Sequence, residues 1–549
     1  MGSLRSSAPD HDLGHLAAGY LAVISGRPPR VRFRVWAPRA RRVELYLAGE
    51  RRDMAAAGGG WWERDAGAAP GARYGYCLDG GDPLPDPRSR SQPDGVHGLS
   101  CVIDHSAFRW TDAAWRGRRL ADAVVYELHA GTFTPGGTFA SAIERLDHLV
   151  ELGVDTVELM PVAEFSGERG WGYDGVDLWA PHHAYGGPAG LAALVDACHA
   201  RGLAVVLDVV YNHLGPEGNY LERFGPYLTD RHRTLWGRAV NFDGRDSRPV
   251  RDFVVENAFA WLRDYHLDGL RLDAVHAIVD TSRPHILEEL AAQVHELDPP
   301  RFVVAEKPVV DPALLAMGLD GQWEDDLHHS LHVLLTGERK SYYAPYGTVG
   351  DLASALLGPG RLGVTLDRLV GFAQNHDQIG NRAIGERLSQ LADPGRLRLA
   401  AAVVLCSPMV PMLFMGEEWA AGTPFLFFSD HRDPRVARAT TSGRVHEFQA
   451  FGWRPEDVPD PQDRRTFARS RLDWSELERE PHRGLLAWHR RLLALRRATP
   501  ELRAGGPLSV EHSETAHRLV MSRGPVRVDC DFAHGRVAVE KLGKPLEWE

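Results

Sequence analysis

Asp273, Glu306 and Asp377 each stand where a short apolar run ends. The runs are GLRLDAVH (269–276), FVVAEKP (302–308) and LVGFAQNHD (369–377). A fourth run, AVVLDVVYNH (204–213), carries Asp208 and ends in Asn212 and His213. Short apolar runs rich in Val and Leu are how parallel strands buried on both faces look in sequence. Acids at the C-terminal ends of such strands lie where a βα barrel places its reactive groups. The step of 33 residues from Asp273 to Glu306 is one βα unit, and the step of 71 to Asp377 is two. All three acids therefore belong to one rim. With Arg271, His213 and His376 beside them, they suit proton transfer and nucleophilic attack on a neutral, hydroxyl-rich substrate, which is the chemistry of glycosidic-bond cleavage.

That chemistry needs one carboxyl to protonate the leaving oxygen and another to attack the anomeric carbon. Asp273 is assigned as nucleophile, because Arg271, two residues before it, points to the same side of the strand and can keep it ionised. Glu306, ending a strongly apolar run, is assigned as the acid/base. Asp377 is expected to orient sugar hydroxyls, with His213 and His376 bonding hydroxyls of the same sugar. A single Asp at a strand end is ordinarily a helix cap; four such sites at barrel spacing call for a catalytic explanation.

The elements that must position these groups follow from the pattern. From Val31, short alternating runs (VRFRVWAP, RRVELYLAG, GGWWERD, ARYGYCLDGG) separated by Gly and Pro predict an antiparallel sandwich. Trp61 and Trp62 are expected in its packing. From about Ala123, strand and helix alternate through eight strand-like runs, predicting a (β/α)8 barrel. The expected organisation is a lead-in (1–28), an immunoglobulin-like N-terminal β-sandwich (29–115), the barrel (116–500) and a small C-terminal β-domain (501–549). The fold class is α/β.

Composition excludes several alternatives. The chain has 549 residues, a net charge of −11 and 44% hydrophobic residues, with no basic patch of the kind that binds nucleic acid. Its five cysteines are scattered and never spaced CxxC, against a disulfide framework or zinc ribbon. No apolar run reaches the ~18 residues that span a bilayer, and the N-terminus lacks the pattern of a signal peptide. A soluble cytoplasmic enzyme with no cofactor is expected. GPGRLG (358–363) fits a dinucleotide pattern but does not follow a strand. His182/His183 and His328/His329 are adjacent pairs, and chain neighbours rarely converge on one ion, so no metal is expected.

The segments DVVYNH, GLRLDAV, VVAE and QNHD closely resemble the four signature segments of the α-amylase superfamily of glycoside hydrolases. The resemblance implies a retaining mechanism with Asp273 as nucleophile, Glu306 as acid/base and Asp377 as transition-state stabiliser. It assigns Asp208, His213, Arg271 and His376 to the subsite around them. Longer segments, among them YELHAGTFTPGGTF, RGWGYDGVDLWAP, QWEDDLHHSLHVLLTGE and FMGEEWAAGTPFLFFSDH, resemble the malto-oligosyltrehalose trehalohydrolase family from about residue 31 to about 505. That resemblance implies cleavage of the α-1,4 bond next to the terminal trehalose of maltooligosyl trehalose, in a pathway with a maltooligosyl trehalose synthase. It places Trp171, Tyr173 and Asp174 at the cleaved bond, and Trp323, Asp325, His328 and His329 toward the trehalose end. Lys307, where the family has a short polar or acidic residue, is expected to turn away from Glu306. The stretch from Tyr343 to Leu369 is shorter than the resemblance implies. A branching or debranching enzyme of the same superfamily, or a non-catalytic glycan-binding relative, are the alternatives.

Overall fold

The computed structural model describes residues 22–24, 29–449 and 453–546. Most of the expected lead-in lies outside these residues. The short segment Ala22–Ile24 pairs antiparallel with the strand Arg30–Trp36.

The N-terminal part forms two four-stranded antiparallel sheets. In Arg30–Trp36 the inward residues Val31, Phe33 and Val35 are buried, as alternation requires of a sheet with one covered face. The segment from Leu84 to Gly98 runs over the barrel. There Arg88 pairs with Glu256, and Arg90 with Asp264 at 2.9 Å, both acids lying on the helix Arg248–Asp264.

Eight parallel strands close into a barrel. They are β1 (Val125–Leu128), β2 (Thr156–Leu159), β3 (Ala204–Val209), β4 (Gly269–Leu272), β5 (Phe302–Ala305), β6 (Gly321–Glu324), β7 (Leu369–Phe372) and β8 (Val410–Phe414). Every residue of all eight strands is buried, which is why these runs read as continuously apolar rather than alternating. Beyond the barrel, an antiparallel sheet runs from Ser509–Ser513 to Lys544–Pro545 and packs on the helix Pro394–Cys406 that precedes β8.

The run SAIERLDHLVEL forms two short helices, Phe139–Ile143 and Leu146–Leu152, the second closed by Gly153 at φ 105°. Directly after β6, Glu324 caps the helix Asp325–Thr336 by accepting the Leu327 N–H at 2.7 Å. No helix among the described residues is long and apolar enough to cross a membrane.

Candidate active site

Strand register explains the centre of the site. Asp208 on β3 and Arg271 on β4 are register partners, so their side chains meet without any loop to place them. Arg271 is wholly buried; its Nη1 donates to Asp208 Oδ2 at 2.6 Å and to Asp273 Oδ1 at 3.0 Å, and its Nη2 lies 3.4 Å from Glu306 Oε2. Trp323 on β6 forms the floor, its ring 4.1 Å from the guanidinium carbon.

Asp273 and Glu306 each lie one residue past the end of a strand, β4 and β5. Ala274 follows in the left-handed region (φ 39°), which turns its N–H onto Glu306 Oε2 at 2.5 Å. A left-handed conformation at a non-glycine residue beside reactive groups is stored backbone strain. Asp377 lies in the short helix His376–Gly380 after β7 and accepts from Asn381 Nδ2 at 3.1 Å.

A hydrogen-bonded chain runs behind these acids. Glu127 on β1 binds His376 twice, through the ring Nδ1 and through the backbone N–H at 3.1 Å. His376 Nε2 lies 2.7 Å from the Tyr173 hydroxyl, which donates to Asp208 Oδ2 at 2.6 Å. Burial works against a charged imidazole, but Glu127 and Asp377 outweigh it and lift His376 to about 9. Glu158 on β2 is the register partner of Glu127 and is buried with one oxygen unpartnered. Burial first, and then Glu127, push its carboxyl far above the usual range.

Asp273 corrects one expectation. Burial is the largest influence and drives its carboxyl well above the usual range; Arg271 opposes this, while Glu306, Asp208 and Asp377 push it further up. Arg271 alone does not hold Asp273 ionised, because three acids share that one guanidinium.

These groups open into a groove of about 500 Å³. Trp171, Tyr173, His213, Asp273, Glu306 and Asp377 all line it. Trp171 is fixed by its Nε1–H to Leu426 O at 2.9 Å and by stacking on Phe425. His213 donates through Nε2 to Tyr173 O at 3.0 Å. Asp208, Arg271 and His376 lie beneath the groove and act on its lining. Asp174 stands beside His431, at 3.5 Å. Asp325 is close enough to feel Glu306 and Asp377; burial, with those two charges added, pushes it to about 8.

Two expected contacts with substrate are corrected. Trp323 is buried under Arg271 and does not line the groove. His328 is buried with both ring nitrogens engaged, Nδ1 to Ala373 O at 2.6 Å and Nε2 to the Tyr343 hydroxyl at 2.9 Å. His329, partly exposed, packs among Tyr342, Tyr343 and Tyr346. The two histidines sit inside a helix, whose faces diverge by residue, and His328 is the one that faces inward. Lys307 does turn aside, pairing with Asp311 at 2.5 Å.

The sequence reading missed several lining residues. Trp236, in the hairpin Leu228–Thr234/Gly237–Val240, stacks on His213 with ring centroids 5.0 Å apart. The helix Pro434–Gln449 contributes Thr440, Arg444 and Glu447. Its start is signalled by Asp433-Pro434, but its body has too weak an apolar face to stand out. A cavity of about 580 Å³ at the opposite end of the barrel is lined by arginines from Arg118 to Arg503, and its two acids, Asp122 and Asp155, are engaged by Arg119 and Arg118.

The family model for the alpha amylase catalytic domain matches residues 84–236. A malto-oligosyltrehalose trehalohydrolase from Arthrobacter ramosus is 50% identical over 93% of this chain and 94% of its own. A crystal structure of a protein from Salmonella typhimurium described as an alpha amylase superposes with a TM-score of 0.84 at 40% identity, over 93% of this chain and 91% of that one. A 1,4-alpha-glucan branching enzyme from Corynebacterium jeikeium stands further off, at 28% identity over 71% of this chain and 61% of its own.

Proposed function

The chain belongs to the malto-oligosyltrehalose trehalohydrolase family of the α-amylase superfamily, and from that membership we propose how its own residues act. It is a glycosidase that cleaves the α-1,4-glucosidic bond next to the terminal trehalose of maltooligosyl trehalose, releasing trehalose and a maltooligosaccharide. The convergence of Asp273, Glu306 and Asp377 on one groove supports the assignment of roles.

In this reading Glu306 protonates the leaving oxygen while Asp273 attacks the anomeric carbon, giving a covalent glycosyl-enzyme. Glu306, now ionised, takes a proton from water, which attacks the same carbon and frees Asp273. Asp377 holds sugar hydroxyls as the ring flattens toward the oxocarbenium-like state. Arg271 and the His376⁺–Tyr173–Asp208 chain fix the nucleophile's surroundings before substrate arrives, which is electrostatic preorganisation. Trp171, Trp236 and Phe427 offer apolar faces to sugar rings, with Asn381, Arg444 and Glu447 as polar contacts at their edges. The pathway role implies a synthase that makes the trehalose-ended substrate and a cytoplasmic location; both rest on the family's biology.

Product analysis tests the whole reading. The purified protein is incubated with maltotriosyl trehalose and, separately, with maltopentaose. The expected outcome is trehalose plus maltotriose from the first and little from the second, with Glu306→Gln slower by roughly 10³-fold. Equal cleavage of both would make it a general α-glucanase, and new α-1,6 linkages would make it a branching enzyme.

A further inference from the structure

The loop carrying Trp171, Tyr173 and Asp174 leaves and re-enters through a narrow neck, the antiparallel pair Ala163–Glu164 and Asp177–Pro181. Glu164 stands on the outgoing side, and His182 and His183 directly follow the returning strand. Glu164 is wholly buried, and its Oε1 lies 2.7 Å from His183 Nδ1 and 3.2 Å from His182 Nδ1. Its Oε2 accepts the His183 backbone N–H at 2.8 Å. One donor atom from each of the three residues falls within 4.8 Å of the others. The adjacent histidines therefore do converge, because Glu164 arrives from across the neck to meet both.

The surroundings ask for a cation. His182 is wholly buried, and neither of its ring nitrogens has a hydrogen-bond partner. Its ring is held by a stack on Phe165 with centroids 3.8 Å apart. Asp177, the register partner of Glu164, is a second buried carboxylate with an unpartnered oxygen. Among the described residues the cationic partners at ion-pair distance from Glu164 are these two histidines, and none is recorded for Asp177. Buried polar atoms without partners cost free energy.

We propose that Glu164, His182 and His183 hold a zinc ion that clasps the neck of the substrate-facing loop. Two imidazole nitrogens and one carboxylate, with a fourth position for water, form a donor set that zinc takes. Calcium and magnesium are disfavoured because they seek oxygen donors. The His183 side chain is 27% exposed, which gives the ion its way in and the water its place. Bonds of about 2.0–2.1 Å in a tetrahedron set the ligand atoms about 3.3 Å apart. His182 and Glu164 already stand near that spacing, and His183 has to withdraw by roughly half an ångström. On binding, the ion replaces the proton that His183 shares with Glu164, and that proton leaves to solvent. The clasp limits how far the neck can open, so the wall formed by Trp171 and Tyr173 is preorganised for substrate.

The test uses the full-length chain, stripped with a chelator and then dialysed against zinc chloride. One zinc per chain by elemental analysis, a rise in Tm on adding zinc, and the visible absorption of tetrahedral cobalt(II) after cobalt exchange are expected. Loading should lower KM with kcat little changed. His183→Ala should weaken zinc binding at least tenfold and abolish the cobalt spectrum, while His295→Ala at an exposed site should leave both intact. Circular dichroism checks that the variant is folded, with His183→Asn as its replacement if it is not. No stoichiometric zinc in the wild-type chain, or zinc held equally well by folded His183→Ala or His183→Asn, overturns the proposal.

Discussion

His376 is where the charges of the site are reconciled. Asp208, Asp273 and Glu306 crowd one buried guanidinium, Asp377 lies beside His376, and this second cation behind Tyr173 lowers the cost of keeping some of the acids ionised. The imidazolium is the form that the fold favours, since its pKa is raised from 6.5 to about 9. The stability it contributes is thus complete below about 6.5 and is lost as pH rises through about 9. We expect kcat/KM and Tm of the wild-type protein to fall together over that alkaline interval. Glu127 is the largest influence raising the imidazole, so Glu127→Gln should move the limb toward lower pH by about one unit or more. A limb that stays put in this variant would assign the titration to another group.

At the scale of elements, the site depends on segments that approach one another too closely for side-chain bulk. The short helix His376–Gly380 carries Asp377 at one end and touches Trp171 at the other. A Cβ added at Gly380 would lie 2.0 Å from Trp171 Cζ2, deep inside the indole's van der Waals radius. Trp171 cannot withdraw, because Phe425 stacks behind it and Leu426 O holds its N–H. Gly380→Ala should therefore displace either the indole or Asp377 and lower kcat/KM by roughly ten- to a hundredfold. Normal kinetics with unchanged Tm would show that the helix shifts freely.

At the scale of the molecule, the N-terminal sheets are joined to the barrel part by apolar contacts, Trp36 on Tyr227 and Tyr76 on Phe224, and by buried charge beside them. Arg88 reaches into the barrel to Glu256 and lies against the rings of Trp61, Trp179 and Phe253. It joins the sandwich's tryptophan to the helix Arg248–Asp264, far from the groove lining. Removing one partner of a buried pair leaves the other charge uncompensated, at a cost of about 3–5 kcal/mol. Arg88→Ala should lower Tm markedly and leave KM for maltotriosyl trehalose within about twofold, since no groove residue moves. A large rise in KM would mean that the sandwich shapes the substrate path directly.

Much of this was legible in the chain. The barrel could be read because parallel strands covered on both faces are mostly apolar, and the eight runs are so apart from single polar residues such as Glu127, Asp208 and Arg271. Asp273, Glu306 and Asp377 could be placed on one rim because strand ends and βα spacing are properties of local sequence. The short-range pairing of Arg271 with Asp273 follows from alternation along a strand. What required the tertiary structure was everything set by register and closure. Glu127 reads as one polar residue in a strand; only barrel closure brings β1 alongside β8 and sets Glu127 against His376. Trp323 and His328 look like ligand contacts until the strand and helix that carry them are seen to face inward. Glu164 and His182 are 18 residues apart, and nothing in that spacing says that an antiparallel neck sets one against the other. Local sequence determined which residues could react. Packing decided which of them share a charge, because electrostatic coupling depends on distance in space and on burial, and neither is a property of position along the chain.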